Sequence, residues 1–287
     1  MPPKSATVRA APRPRPRAEP QPGSFRGGAA SGHTQALSRG LAVLEALAAT
    51  EGGATLTAIA ESLALPVPTV HRLLGTLAEL GYVQQGPVGE WLIGVRAFRV
   101  GAAFLDHRNL VVQAYPFLKR LMEASGETTN LAVIDAGEAV FVEQVQCREL
   151  MRMSTKLGAR APLHASGVGK AMLAAMGPRA AEAVLGRRAL PRHTAKTITA
   201  HAALARELAA SRERGYALDD EEHADGLFCV ACALWDENGE PWAAISLAGP
   251  TSRITPARVP GLGALVRATA ADLTAALGGH PPRPAPR

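Results

Sequence analysis

The chain has 287 residues, 47% of them hydrophobic, with 31 Lys+Arg against 25 Asp+Glu for a formal charge of +6. That length suits about two domains at roughly 100–200 residues each. No apolar run approaches the ~20 residues of a membrane span, and the basic N-terminus lacks the apolar core of a signal peptide. Three cysteines cannot build a disulfide framework, so no membrane role and a cytoplasmic location are expected.

The charge is unevenly distributed. Residues 1–30 carry Lys4, Arg9, Arg13, Arg15, Arg17 and Arg26 against Glu19 alone, a net of +5, and residues 278–287 add Arg283 and Arg287. These two stretches also hold 11 of the 22 prolines and almost no large apolar residues, so they cannot offset the entropy of ordering. Residues 1–32 and 279–287 therefore read as disordered tails. The basic pI belongs to them rather than to the folded part.

Within the folded part, apolar residues recur at Leu37, Leu41, Leu44 and Leu47, a helical period with Ser38 placed to cap its start. A short helix over Thr57–Leu63 follows, then a break at Ala64-Leu65-Pro66. A third helix starts at Pro68, whose missing N–H costs nothing in a first turn. Its apolar stripe is Val70, Leu73, Leu74, Leu77 and Leu80. Tyr82–Gln85 and Glu90–Ile93 then read as a hairpin around Gly86-Pro87-Val88-Gly89. Three helices and a hairpin make a winged helix-turn-helix over 33–96, with the third helix placed to enter a DNA major groove. Thr69, Arg72 and Thr76 would project from its outer face toward base edges, with His71 on its flank. Arg39, Thr57 and Pro68 complete the candidate DNA-facing set. The alternative is a solvated third helix or a protein-binding winged helix. Residues 31–97 hold three arginines against five glutamates, a net of −2, which is weak attraction for phosphate.

A linking helix is expected over 97–112. Residues 113–278 mix hairpins, one around Asp135-Ala136-Gly137-Glu138 and one around Asn238-Gly239, with helices over Gly167–Met176, His201–Arg214 and Ala257–Leu277. That alternation predicts an α+β domain with an antiparallel sheet.

Few motifs in this second part carry chemistry. His164-Ala165-Ser166-Gly167-Val168-Gly169-Lys170 fails as a phosphate loop, because His164 and Ala171 stand where Gly and Ser/Thr are needed. It can still present free N–H groups to a small anion at a helix start, or simply cap that helix. Asp219-Asp220-Glu221-Glu222-His223 suits a solvated acidic face; alternatively a carboxylate there accepts a ligand hydroxyl, or joins His223 and Cys229 on a metal. Cys229 and Cys232 lie three apart on a predicted strand, pointing to opposite faces, which suits core cysteines better than zinc or redox chemistry. No nucleophile motif is evident. No cofactor and no metal are expected.

With those residues in place, the chain resembles the IclR family of bacterial transcription regulators over most of 33–278. The resemblance is carried by Leu37-Ser38-Arg39-Gly40-Leu41, Leu65-Pro66-Val67-Pro68-Thr69-Val70-His71-Arg72-Leu73-Leu74, the His164–Lys170 segment, the Asp219–His223 run and Ala244-Ile245-Ser246. Gln144-Val145-Gln146-Cys147 and Leu150-Met151-Arg152-Met153-Ser154 are similar to the branch that represses the acetate (glyoxylate-bypass) operon. The resemblance implies a GAF-like effector domain, operator DNA as partner, and homodimers assembling to homotetramers. It implies a small keto acid, glyoxylate or pyruvate, as effector. Its pocket maps onto Gly167, Val168, Asp219, Cys229 and Ser246, with an apolar wall of Leu150, Met153, Ala161 and Leu227. Ala248 stands where that branch has a second serine, Ala161 replaces a bulkier residue, and Pro68 replaces a frequent serine. A ligand-responsive repressor is the expected function. The alternatives are a regulator of other catabolic genes with a different acid, and a small-acid enzyme using the acidic run and Cys229.

One test follows from the charge distribution alone. If the tail neutralises DNA phosphates, each contact steepens log K against log[salt] by about 0.9. Deleting residues 1–30 is expected to flatten that slope by several such increments while leaving operator preference intact. A salt titration of DNA binding checks it; an unchanged slope means a tail that touches nothing.

Overall fold

The structure is a computed structural model that describes residues 34–106, 110–186 and 189–282. The chain divides into two compact units between Phe104 and Leu105. The predicted tails fall almost wholly outside the described residues.

The first unit contains α1 (Gln35–Ala49), α2 (Leu56–Ser62), α3 (Val67–Glu79) and a hairpin of β1 (Val83–Gln85) and β2 (Trp91–Ile93). Val43, Leu47, Ile59, Val70, Leu74, Val83 and Trp91 form its core. Pro66 is the N-cap of α3 and Pro68 lies in its first turn. The expected cap of α1 is displaced: the helix starts before Ser38, with Thr34 at the N-cap. The expected stripe on α1 is rotated too. Ala42, Val43 and Leu47 are buried, whereas Leu37 and Leu41 are exposed.

A further helix, α4 (Val95–Asp106), runs across the division between the units. In the second unit come α5 (Leu110–Ser125), β3 (Thr128–Asp135), β4 (Glu138–Val145), β5 (Arg160–Pro162), α6 (Gly167–Met176), α7 (Pro178–Leu185), α8 (His201–Arg214), β6 (Ala217–Asp220), β7 (Leu227–Trp235), β8 (Pro241–Pro250) and α9 (Val259–Ala276). The strands form one antiparallel sheet in the order β5-β4-β3-β8-β7-β6. This is the expected α+β architecture. β5, β6 and α7 are not among the predicted elements.

Strand alternation gives the sheet two unlike faces. One buries Leu131, Val133, Phe228, Val230, Leu234, Ile245 and Leu247 against α5 and α9. The other carries mostly small residues, among them Ala132, Ala139, Cys229, Ala231, Ala244 and Ala248, against α6 and α8. Small side chains let α6 approach the sheet. Gly167 marks the closest approach, since a Cβ there would meet Cys229 and Ala231 of β7, while at Gly169 one would lie 2.4 Å from Leu163 Cα in the segment before α6. Cys229 belongs to the second face and Cys232 to the first, as the three-residue spacing requires.

At one end of β3, buried Glu127 receives two hydrogen bonds from Arg253, Nε to Oε1 at 2.9 Å and Nη2 to Oε2 at 2.6 Å. Arg253 also donates to the Met151 carbonyl at 2.7 Å, tying the β4–β5 loop to the sheet. Removing Arg253 leaves the buried Glu127 only its longer pair with Arg258 Nη1 at 3.7 Å, at a cost of up to ~3 kcal/mol. Arg253→Met is expected to lose about that much in urea unfolding, and adding Glu127→Gln should recover part of it. An unchanged midpoint in Arg253→Met would show the pair contributes nothing.

Candidate effector cavity and DNA-facing helix

α6 begins with a fully occupied cap. Ser166 Oγ accepts from Gly169 N at 3.2 Å and donates to Pro162 O at 2.7 Å. The earlier amides of the turn, Gly167 and Val168, have no carbonyl behind them in the helix, and that of Gly167 faces the Cys229 sulfur. Both line a cavity of about 300 Å³. A Cβ at Gly167 would meet Cys229 Sγ at 2.6 Å, so only glycine fits there.

The cavity floor comes from the small-residue face of the sheet through Cys229 and Ser246, and its far side from Asp219 and His223. Asp219 pairs with Cys229 across β6 and β7. Its Oδ1 accepts from Glu222 N at 2.8 Å and His223 N at 3.2 Å. Burial nevertheless dominates and pushes the Asp219 carboxyl up to about 6. Burial likewise raises the Cys229 thiol to about 12, so it stays a neutral thiol at neutral pH and no nucleophile.

The acidic run is not a solvated face. Glu222 pairs with Lys170 of α6, whose side chain is fully buried. Glu221 sits at φ 58 and binds Lys196 Nζ at 2.6 Å and Gly226 N at 2.7 Å. His223 has a buried Nδ1 without a hydrogen-bond partner, and burial lowers its pKa, keeping the ring neutral. It stacks in a row with His193 and His164, at centroid spacings of 5.7 and 5.8 Å. Among the described residues no three His, Cys, Asp or Glu side chains converge as metal ligands.

Of the residues assigned to the pocket from resemblance, Gly167, Val168, Asp219, Cys229, Ser246, Met153 and Leu227 line this cavity together. Leu150 does not. It is wholly exposed on the β4–β5 loop, because that loop turns Met153 rather than Leu150 inward. Ala161 and Ala248 are buried in the adjoining core and leave the wall to others. Sequence reasoning missed Phe141, Ser154, Thr155, Lys156, Ala159 and Arg160, which also line the cavity. Ser154, Thr155, Lys156 and Ala159 had only their place between Met153 and Arg160 as a signal, and Phe141 only its place on the predicted strand Ala139–Val145.

On the first unit, His71, Arg72, Thr76 and Pro68 of α3 are exposed, Thr69 is half-buried, and Thr57 is exposed on α2. Arg39 of α1 is half-buried. Thr76 Oγ1 donates back to the Arg72 carbonyl at 3.1 Å, so its proton is engaged within the helix. Arg72 is therefore the long cation on that face.

A chain that carries both a winged helix-turn-helix and such a cavity has clear relatives. A profile of the IclR helix-turn-helix domain matches residues 36–87, and one described as bacterial transcriptional regulator IclR C-terminal matches 102–275. The chain is 47% identical over 253 residues to the transcriptional repressor IclR of Escherichia coli K12, covering 87% of this chain and 92% of that protein. The chain belongs to the IclR family. It is also 47% identical over 252 residues to the acetate operon repressor of Salmonella typhimurium LT2, again with 87% and 92% coverage. Among solved structures, an IclR homolog from Microbacterium hydrocarbonoxydans complexed with 4-hydroxybenzoate superposes with a TM-score of 0.73 at 27% identity, covering 84% of this chain and 98% of that one. IclR membership makes the chain a DNA-binding transcriptional regulator, and the enzyme alternative falls: the family and its relatives are regulators, and Cys229 is held neutral.

Asp219 gives a test of the cavity's electrostatics. Its folded pKa, about 6 against an ordinary carboxyl value of 3.8, lies above the unfolded one, so the folded state binds the proton more tightly. The burial penalty is complete above pH ~6 and is relieved as pH falls toward ~4. Asp219→Asn keeps an oxygen for both backbone amides and removes the titration. Urea unfolding from pH 4 to 7 should show wild type gaining on the variant, by on the order of 2–3 kcal/mol, as pH falls. Parallel pH profiles would mean the carboxylate is not buried as described.

Proposed function

We propose that the chain is a cytoplasmic repressor of an acetate or glyoxylate-bypass type operon, and that a small keto acid such as glyoxylate or pyruvate binds the cavity and changes its hold on operator DNA. The observation that carries this reading is the convergence, in one cavity, of the Gly167 and Val168 amides, the Ser246 hydroxyl and the Asp219 carboxyl. A helix start favours the carboxylate of an acid. Ser246 supplies a hydrogen bond to a keto oxygen, and Asp219 accepts one from a hydrate hydroxyl. The 47% identity to the acetate operon repressor supports the choice of operon.

Exposed apolar surface on the first unit suits self-association. Leu37 and Leu41 on α1 and Val95, Phe98 and Val100 on α4 are exposed apolar side chains on one unit. Such surface favours burial between copies, which suits a homodimer on a two-fold operator and its assembly to a homotetramer. Among the described residues no helix is long and apolar enough to cross a membrane. The reading takes residues 33–96 as the DNA-binding domain, 97–112 as the linking helix and 113–278 as the effector domain.

A second reading rests on the size of the cavity. At about 300 Å³ it has room beyond a two- or three-carbon acid, along Phe141, Met153 and Leu227. The 4-hydroxybenzoate in the Microbacterium homolog shows a neighbour of the same fold holding a larger acid. On that reading the chain regulates other catabolic genes.

Genomic footprinting followed by titration of the protein–operator complex with glyoxylate, pyruvate and 4-hydroxybenzoate separates the two. Release or tightening by glyoxylate or pyruvate supports the first reading, and a response to the aromatic acid alone supports the second. In the same assay Arg72→Ala is expected to lose ~1–3 kcal/mol of discrimination between operator and random DNA. Unchanged discrimination would remove α3 as the reading helix. Ser246→Ala should lower the effector response at least tenfold without altering DNA binding in its absence.

A further inference from the structure

Across three adjacent strands, Gln144, Asn130 and Ser246 stand at one register, Asn130 opposite Gln144 on β4 and opposite Ser246 on β8. Asn130 is fully buried on the sheet face that carries the cavity. Its side chain spends both ends on neighbours: Nδ2 lies 3.3 Å from Ser246 Oγ, and Oδ1 lies 2.7 Å from Gln144 Nε2. A side-chain amide can be turned over, so these distances alone leave the sense of the chain open.

Two donors that cannot accept settle the sense. The backbone N–H of Thr155 lies 3.3 Å from Gln144 Oε1. Arg152 Nε lies 3.0 Å from Gln146 Oε1, which turns Gln146 Nε2 toward Gln144 Oε1 at 3.2 Å. Gln144 must therefore present its oxygen to the loop and its nitrogen to Asn130. Asn130 in turn must accept from Gln144 and donate to Ser246. The Ser246 oxygen already receives a proton, so its own O–H is left for the cavity side, where it bonds the Cys229 sulfur on the floor and can turn to an acceptor oxygen of a ligand.

We propose that Gln144 and Asn130 are positioning residues that hold Ser246 as an obligate hydrogen-bond donor to the effector. The inference rests on the reading of the cavity as the effector site and deepens it. A donor held at Ser246 selects for an acceptor oxygen on the ligand at that point, a keto or carboxylate oxygen. The direction is set from the β4–β5 loop, whose Met153, Ser154, Thr155 and Lys156 also line the cavity. Loop position and serine polarity are thereby linked through Thr155.

Gln144→Glu tests the direction without touching the cavity. The new carboxylate still accepts from Thr155 but cannot donate to Asn130. Asn130 then turns its nitrogen toward that carboxylate and its oxygen toward Ser246, whose proton swings back into the sheet. Calorimetric titration of the full-length protein with glyoxylate and pyruvate should show affinity at least tenfold weaker in Gln144→Glu, with operator affinity of the free protein within twofold of wild type. Gln144→Met, which removes the anchor without reversing it, should fall between the two and serves if the first variant folds poorly. In a Ser246→Ala background Gln144→Glu should have no further effect. A loss of the same size in that background would mean a general structural role and overturn the proposal. Neutron diffraction of the ligand-free protein reads the relay independently of any effector. Deuterons on Asn130 Nδ2 facing Ser246, and a Ser246 deuteron facing the cavity, are expected, whereas a Ser246 deuteron on Asn130 Oδ1 overturns it. If wild type binds no keto acid while the neutron map shows the expected deuterons, the effector reading fails and the relay stands.

Discussion

The effector half is organised around a buried cation. Lys170 enters the interior from the first turns of α6 with no exposed surface, and its partner is Glu222 in the turn after β6. An isolated ammonium there would cost several kcal/mol, so α6 and that turn cannot separate without stranding one charge. The pair fixes the distance between the helix start and the acidic turn, and the cavity is the space left between them. Glycine is forced at two positions by the same docking. Gly169 clears Leu163 and Gly167 clears Cys229, and neither gap would admit a methyl group. The small-residue face of the sheet completes the geometry, because larger side chains there would lift α6 away and fill the void.

How much of this the sequence discloses depends on how far apart the partners lie. The helices α3, α6 and α8 follow from local period, breaks and caps, and the hairpins from turn residues, since those signals are contained within one element. The strands β5 and β6 have three and four residues, too few for alternation to register. Nor does α7 disclose itself, as a single Pro178 start and eight residues resemble a loop. The acidic run is the instructive failure. Composition makes it a solvated face, and nothing local reveals that Lys170, fifty-two positions earlier, neutralises Glu222. Leu150 and Met153 show the same limit at smaller scale, because an irregular loop has no period to say which apolar residue turns inward.

The two units meet their ligands with opposite electrostatic resources. The winged-helix region is net negative over 31–97, so phosphate attraction there depends on Arg72, on Arg39 and on helix starts. The cavity sets backbone amides at the helix start and a hydroxyl beside two cations of its lining, Lys156 and Arg160, which suits the proposed acid. Lys170 contributes from behind, its charge already engaged by Glu222. A site of that kind can recognise an acid by both geometry and charge. It also tolerates Asp219 as a neighbour only because burial makes that carboxyl easy to protonate or ready to accept a ligand hydroxyl.

A ligand can shift a regulator only by binding one of its states better than another. The element best placed to differ between states is the β4–β5 loop, which covers the cavity while being held at few points. Arg253 grips its Met151 carbonyl, Gln146 and Arg152 brace it, and Thr155 N–H reaches Gln144. Most of these are single hydrogen bonds at the protein surface, each worth about 1 kcal/mol, so the loop can rearrange at modest cost. The sheet beneath is the opposite, a close-packed layer with buried Asn130 fixed at both ends. A floor fixed through Asn130, beneath a loop that joins it through Thr155 and Gln144, is where a bound effector of the proposed kind would couple to loop position. That coupling is available in the effector half alone, before any question of how it reaches DNA.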